Sequence, residues 1–201
     1  MADIKDPKNT IVMETTQGKV WIELFPDLAP NHVERIKELT RTGFYDGCTF
    51  FDVNNEYVQT GDPNGMGRGG GSGWNLNDEF SERNHIRGTC SMVNRATPNS
   101  ADSQFFICVT GASYLDRKNT IWGQVIDGMK NIDKLKKGVR MKDPDKVISM
   151  KIVEDPVVTP GRNQDEDIDP ETKLIKQQTM DASTSVLTNN NPIPIDILKN
   201  L

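Results

Sequence analysis

The chain has 201 residues, 35% of them hydrophobic, which suffices for one substantial core with an appendage but not comfortably for two domains. Its 24 basic and 29 acidic residues leave a formal charge of -5, which removes the electrostatic ground for a nucleic-acid partner. No apolar run reaches the roughly 20 residues of a membrane span and Met1–Lys8 lacks a signal-peptide apolar segment, so the expectation is a cytoplasmic protein with no membrane role.

After a short arm over residues 1–9, Thr10 to Thr16 and Lys19 to Phe25 flank Gln17-Gly18, and Val20, Ile22 and Leu24 alternate with polar neighbours. That pattern predicts a hairpin with one buried face. Asn31 to Thr42 lies between Pro30 and Gly43 and places Val33, Ile36 and Leu39 on one side, which predicts an amphipathic helix. Short apolar runs at Thr89–Asn94, Gln104–Val109, Thr120–Val125 and Val147–Val153 have the length and boundaries of strands. A second helix is predicted over Asp127 to Lys137, where Met129, Ile132 and Leu135 recur at threes and lysines gather before Gly138. Together these elements predict a mainly β fold, a closed antiparallel sheet with two helices over its open ends.

From residue 155 the composition changes. Residues 155 to 201 carry eight acidic and four basic groups, are poor in aromatics, and run through Asp165-Glu166-Asp167 to Asn189-Asn190-Asn191. This reads as an extended acidic tail following a core domain of residues 10–154. Its Pro192-Ile193-Pro194-Ile195 segment offers two X-Pro bonds and an apolar docking element, which raises a homo-oligomer through the tail as an expectation.

The chemistry-bearing residues are few. Cys48, Cys90 and Cys108 are odd in number and widely spaced, as buried free thiols of a reducing compartment are, and no metal or other cofactor is expected. The glycine-rich stretch from Gly61 to Gly73 superficially resembles a phosphate loop, but no lysine and no helical stripe follow it. The two histidines, His32 on the first helix and His85 before Gly88, have no nucleophile close in sequence, although a Ser-His-Asp arrangement could still assemble in space.

A set of motifs appears in a telling order: Ala29-Pro30-Asn31-His32-Val33, Gly43-Phe44-Tyr45-Asp46-Gly47, Gln59-Thr60-Gly61-Asp62-Pro63, Gly88 through Asn94, Ser103-Gln104-Phe105-Phe106, Leu115-Asp116 and Trp122-Gly123-Gln124-Val125. In this order they resemble the cyclophilins, the peptidyl-prolyl cis-trans isomerases, with bacterial-type features, over nearly all of residues 10 to 154. The resemblance implies an eight-stranded antiparallel barrel capped by two helices and a groove for proline-containing peptides. It places Phe106 at the floor of the proline pocket, Gln59 and Gln104 among its polar residues, Leu115 on an apolar wall and Asn119 where a histidine often stands. Val93 and Asn94 fall along the same groove, and Tyr57 and Val58 replace a Phe-Met pair. Tyr114 occupies a position often held by tryptophan, which implies weak or no cyclosporin binding.

One catalytic group is missing. An X-Pro amide resists rotation by roughly 18 to 20 kcal/mol because its nitrogen lone pair is conjugated. A donor aimed at that nitrogen stabilises the twisted state. The resemblance assigns that role to an arginine in a Phe-His-Arg-Val-Ile strand, where this chain reads Phe50-Phe51-Asp52-Val53-Asn54. Asp52 takes the arginine position and Phe51 the histidine position. The segment to Gln59 is one residue shorter than the family pattern, so the gap falls either at the arginine or nearer Tyr57. No Lys or Arg occurs between Arg41 and Arg68, so neither placement restores a cation on this strand. Three readings follow: a proline-peptide binding, folding-assistance or assembly module with weak or lost isomerase activity; a working isomerase that borrows Arg68 or Arg95; and a structural barrel whose groove is vestigial.

Overall fold

The computed structural model describes residues 3–67, 73–94 and 97–155. Arg68, Arg95, the acidic tail and its expected docking and oligomer contacts lie outside the described residues. Nine strands form one curled antiparallel sheet: β1 (Thr10–Thr15), β2 (Gly18–Leu24), β3 (Asp52–Val53), β4 (Tyr57–Thr60), β5 (Thr89–Met92), β6 (Phe105–Cys108), β7 (Ile121–Asp127), β8 (Gly138–Val139) and β9 (Val147–Ile152). Their order across the sheet is β8-β3-β4-β6-β5-β7-β2-β1-β9. The segment leading into β3 bonds back to the start of β9, with Gly47 N–H on Val147 O at 2.8 Å, Phe50 N–H on Asp145 O at 2.9 Å and a bridge between Thr49 and Lys146. The count exceeds the expected eight because Gly138 and Val139 pair with Val53 and Asp52 as a two-residue extra strand.

The predicted hairpin forms β1 and β2, and its turn is fixed locally. Thr15 Oγ1 donates to Gly18 O at 2.8 Å and accepts from Gln17 N–H, while Gly18 takes a φ of +123°. Alternation then sends Ile11, Met13, Val20, Ile22 and Leu24 into the core. There Phe105 meets Trp122 edge-on at 5.2 Å and Tyr45 at 5.5 Å, three fully buried aromatics. Burial of each such side chain is worth roughly 1.5–3 kcal/mol. All three cysteines are buried free thiols.

The first helix, α1 (Pro30–Arg41), buries His32, Val33, Arg35, Ile36 and Leu39. Its N-cap residue Ala29 has no side chain able to accept the free amides. Glu79 does so from across the chain, accepting the N–H groups of Asn31 and His32 at 3.2 and 3.0 Å. A carboxylate at this end also matches the helix dipole. Glu79 Oε2 lies 2.6 Å from His32 Nδ1, while the buried Nε2 finds no partner, so the neutral ring with its proton on Nδ1 fits the site. Burial pushes the His32 pKa down against the pull of Glu79.

The second helix departs from expectation. Asp127 ends β7, paired with Trp21, and Gly128 turns the chain at a φ of +91°, leaving α2 only Met129–Ile132. Beyond it, Lys136 N–H donates to Asp145 Oδ2 at 2.7 Å, so a carboxylate takes a backbone group that a longer helix would have used. Ile132 and Leu135 still reach the core, which explains the apolar spacing without a three-turn helix.

Candidate functional site

On the outer face of the sheet, β4, β6, the end of β5 and the one-turn 3-10 helix Ser113–Leu115 enclose a cavity of about 260 Å³. Tyr57, Gln59, Val93, Asn94, Phe106, Tyr114, Leu115 and Asn119 line it. These are eight of the eleven site residues expected from sequence. Phe106 forms the base, stacked on buried His85 at 6.0 Å and tilted against Tyr57 at 5.8 Å. Gln59 lies opposite Phe106 in the β4–β6 register, and its Nε2 donates to Gln104 Oε1 at 3.1 Å. Gln104 thus fixes Gln59 from beside the cavity rather than lining it. Asn119 Nδ2 donates to Met92 O at 3.0 Å and lies 3.4 Å from Asn94 Oδ1, while Asn94 Nδ2 donates to Lys118 O. One wall is therefore held by side-chain amides whose partners are mostly backbone carbonyls.

Val58 is a correction. It pairs with Val53 and faces the barrel core at 1% exposure, because alternate residues of a strand point to opposite faces. Tyr57 and Gln59 share the groove face, so Val58 cannot.

Asp52 stands one strand outside the cavity, directly across from Gln59 and on the same face. Its Oδ2 accepts from Tyr57 Oη and its Oδ1 from Asn54 Nδ2, both at 3.3 Å. In the turn that follows β3, Asn54 Oδ1 accepts the amides of Glu56 and Tyr57 at 2.8 and 2.9 Å. The register opposite Gln59 puts position 52 on the groove side. Phe51 is turned away and buried against Gly67, at which an added Cβ would lie 2.9 Å from the phenyl ring. An ionised carboxylate at position 52 can accept hydrogen bonds but not donate them.

Two further features have no warning in the local sequence. Tyr114 Oη donates to Glu56 Oε2 at 2.6 Å across the mouth of the cavity, and this bond with some burial pushes the phenol up to about 12. Burial and the charge of Asp52 likewise raise the Tyr57 phenol. Both groove tyrosines thus remain neutral donors held by carboxylates. Beneath Phe106, Asp116 Oδ1 lies 2.9 Å from His85 Nδ1 and His85 Nε2 lies 3.0 Å from Ser91 Oγ. The three residue types of a hydrolase are assembled, but Ser91 is fully buried and donates to Thr120 O at 3.0 Å. This chain supports the pocket floor and offers a substrate no nucleophile. After the glycine-rich stretch Leu76 pairs with Ala101 as an isolated bridge, and among the described residues no helix directly follows Gly73, which leaves the phosphate-loop reading without support.

The model of the family described as cyclophilin type peptidyl-prolyl cis-trans isomerase matches residues 10–155. The "Probable peptidyl-prolyl cis-trans isomerase" of Brucella suis is 39% identical over 171 residues, covering 77% of this chain and 87% of that protein. Human "Peptidyl-prolyl cis-trans isomerase-like 3" is 40% identical over 133 residues, covering 64% of this chain and 82% of its own length. Among solved structures, a cyclophilin type peptidyl-prolyl cis-trans isomerase of Cryptosporidium parvum, crystallised in the presence of the dipeptide Ala-Pro, superposes with a TM-score of 0.67 at 27% identity, over 73% of this chain and 99% of that one. A cyclophilin from Hirschia baltica gives the same TM-score at 28% identity over 73% and 74% of the two chains.

Proposed function

Because the chain belongs to the cyclophilin-type peptidyl-prolyl cis-trans isomerase family, we propose that its outer groove binds X-Pro segments of other proteins while turning them over slowly or not at all. The protein then acts as a proline-binding, folding-assistance or assembly module. The observation that carries this reading is the contrast within one site. Phe106, Leu115, Gln59 and Asn119 line a cavity with room for a prolyl ring, and the adjacent strand position on the same face presents Asp52.

The two halves of that contrast act on different steps. Phe106 and Leu115 supply apolar surface for a prolyl ring, and the Gln59 and Asn119 amides lie where they can fix the flanking peptide backbone; both contribute to ground-state binding. Rotation needs something more, a donor that meets the prolyl nitrogen only once conjugation is broken. Loss of one preorganised donor costs on the order of 100- to 1000-fold in rate. The carboxylate of Asp52 also repels the carbonyl oxygen of the bound amide.

Titration with a capped Ala-Ala-Pro-Ala peptide, followed by amide NMR, tests the binding half. The expected result is a saturable shift centred on Tyr57, Phe106 and Leu115. A saturating excess of peptide that leaves those amides unmoved overturns the reading.

A further inference from the structure

The groove is flanked on its β3–β4 side by two carboxylates, Asp52 and Glu56, each engaged only by neutral donors. Asp52 accepts from Tyr57 Oη and Asn54 Nδ2, and Glu56 Oε2 accepts from Tyr114 Oη. Neither has an ion-pair partner among the described residues. Lys137, which reaches the same hairpin, donates to Asn55 Oδ1 at 2.6 Å rather than to either acid. On the opposite wall Lys118 contributes its carbonyl to Asn94. Tyr57 and Tyr114, whose hydroxyls the two acids hold, are themselves walls of the cavity.

From this arrangement we propose that the groove selects X-Pro segments carrying lysine or arginine beside the proline, with Asp52 as the main determinant of the preference and Glu56 reinforcing it. The inference rests on the proline-binding reading above and names its substrate class. A prolyl ring seated on Phe106 puts the neighbouring peptide residues alongside Gln59 and Tyr57, and Asp52 lies directly across the strand pair from Gln59. A cationic side chain there finds one half-buried and one exposed carboxylate with open acceptor sites. An acidic side chain meets like charge from both. A guanidinium at position 52 would give the reverse preference, so the same substitution that removes the rotational donor recasts what the groove attracts.

Exposed and half-exposed pairs contribute modestly, so the expected discrimination is about three- to tenfold in Kd between capped Ala-Lys-Pro-Ala and Ala-Glu-Pro-Ala at low salt. Three peptides, these two and Ala-Ala-Pro-Ala, are titrated into the full chain, with the neutral peptide expected between the charged ones. High salt and Asp52→Asn should each draw the Lys-to-Glu ratio toward one. Glu56→Gln provides a second variant should Asp52→Asn fold poorly, with a smaller contraction expected. Equal affinity for the Lys and Glu peptides, with the Ala peptide still binding, overturns the selectivity and leaves the groove reading standing. No binding of any of the three overturns both.

Discussion

Asp52→Arg should speed the turnover of X-Pro peptides in the groove. The site already supplies the pocket, and position 52 lies opposite Gln59 on the groove face. A preorganised donor of this kind is worth about 2.7–4 kcal/mol, or roughly 100- to 1000-fold. Two features of the structure reduce the gain. Glu56 stands at the same rim and competes for the new guanidinium, and Phe51 faces away and cannot brace it. Gln59 favours it, because its Nε2 is committed to Gln104 and its carbonyl oxygen is left to accept. The expected increase in kcat/KM is therefore about 10- to 100-fold for the single variant, and higher with Glu56→Gln added. The loss of two 3.3 Å hydrogen bonds made by Asp52 should cost no more than about 1–2 kcal/mol of stability. Turnover is read by a protease-coupled assay or NMR exchange on an Ala-Ala-Pro-Phe peptide. A variant that folds, binds the peptide and turns over within twofold of the parent refutes the reasoning. So does loss of existing activity in Asp52→Ala, which would make the acid a participant.

Phe106→Ala should abolish measurable X-Pro binding and cost about 3–5 kcal/mol in denaturant unfolding, since the ring is both pocket floor and the partner of His85; retained affinity would move the site elsewhere. Glu79→Gln should lower stability by about 1–2 kcal/mol, because the carboxylate caps α1 through the Asn31 and His32 amides, and an unchanged denaturation midpoint would reject that role. His32 should make stability fall as the pH drops. Burial holds its pKa below the ordinary 6.5, so the unfolded chain takes up the proton first and the stabilisation, complete above that value, declines below it. Denaturant midpoints from pH 7.5 to 5.5 should slope downward, less so in His32→Gln, and an identical slope in both proteins counts against the assignment. Gly61→Ala should cost about 2–4 kcal/mol. Its φ is +85°, and a Cβ would sit 2.5 Å from Ser103 O where β4 meets the approach to β6; a thermal midpoint equal to the parent's would contradict the geometry.

Elements with a strict local period were legible before the structure. Val20, Ile22 and Leu24 could alternate only one way, and the span from Asn31 to Thr42, read between Pro30 and Gly43, lies within a residue of each observed end of α1. The second helix misled because Met129, Ile132 and Leu135 are core residues on one short turn and the chain leaving it, a spacing that threefold periodicity cannot tell from a longer helix. Most of the groove was legible through ordered motifs around Phe106. The one misplaced residue obeys a rule already visible in the sequence: with Gln59 facing the groove, Tyr57 must share its side and Val58 must oppose it. Contacts across long separations were out of reach. Nothing near Glu79 marks it as the cap of a helix 48 residues away, and nothing joins His85 to Asp116 before the chain folds.

The central claim is that the fold keeps a proline groove and has lost its rotational donor, and the isomerase rate of the unaltered protein tests it most directly. Measured beside an ordinary cyclophilin on the same Ala-Ala-Pro-Phe peptide, at concentrations where binding is confirmed by NMR, kcat/KM should be lower by about 100-fold or more. Turnover within about tenfold of that reference would contradict the account, because the absent donor alone exceeds that margin.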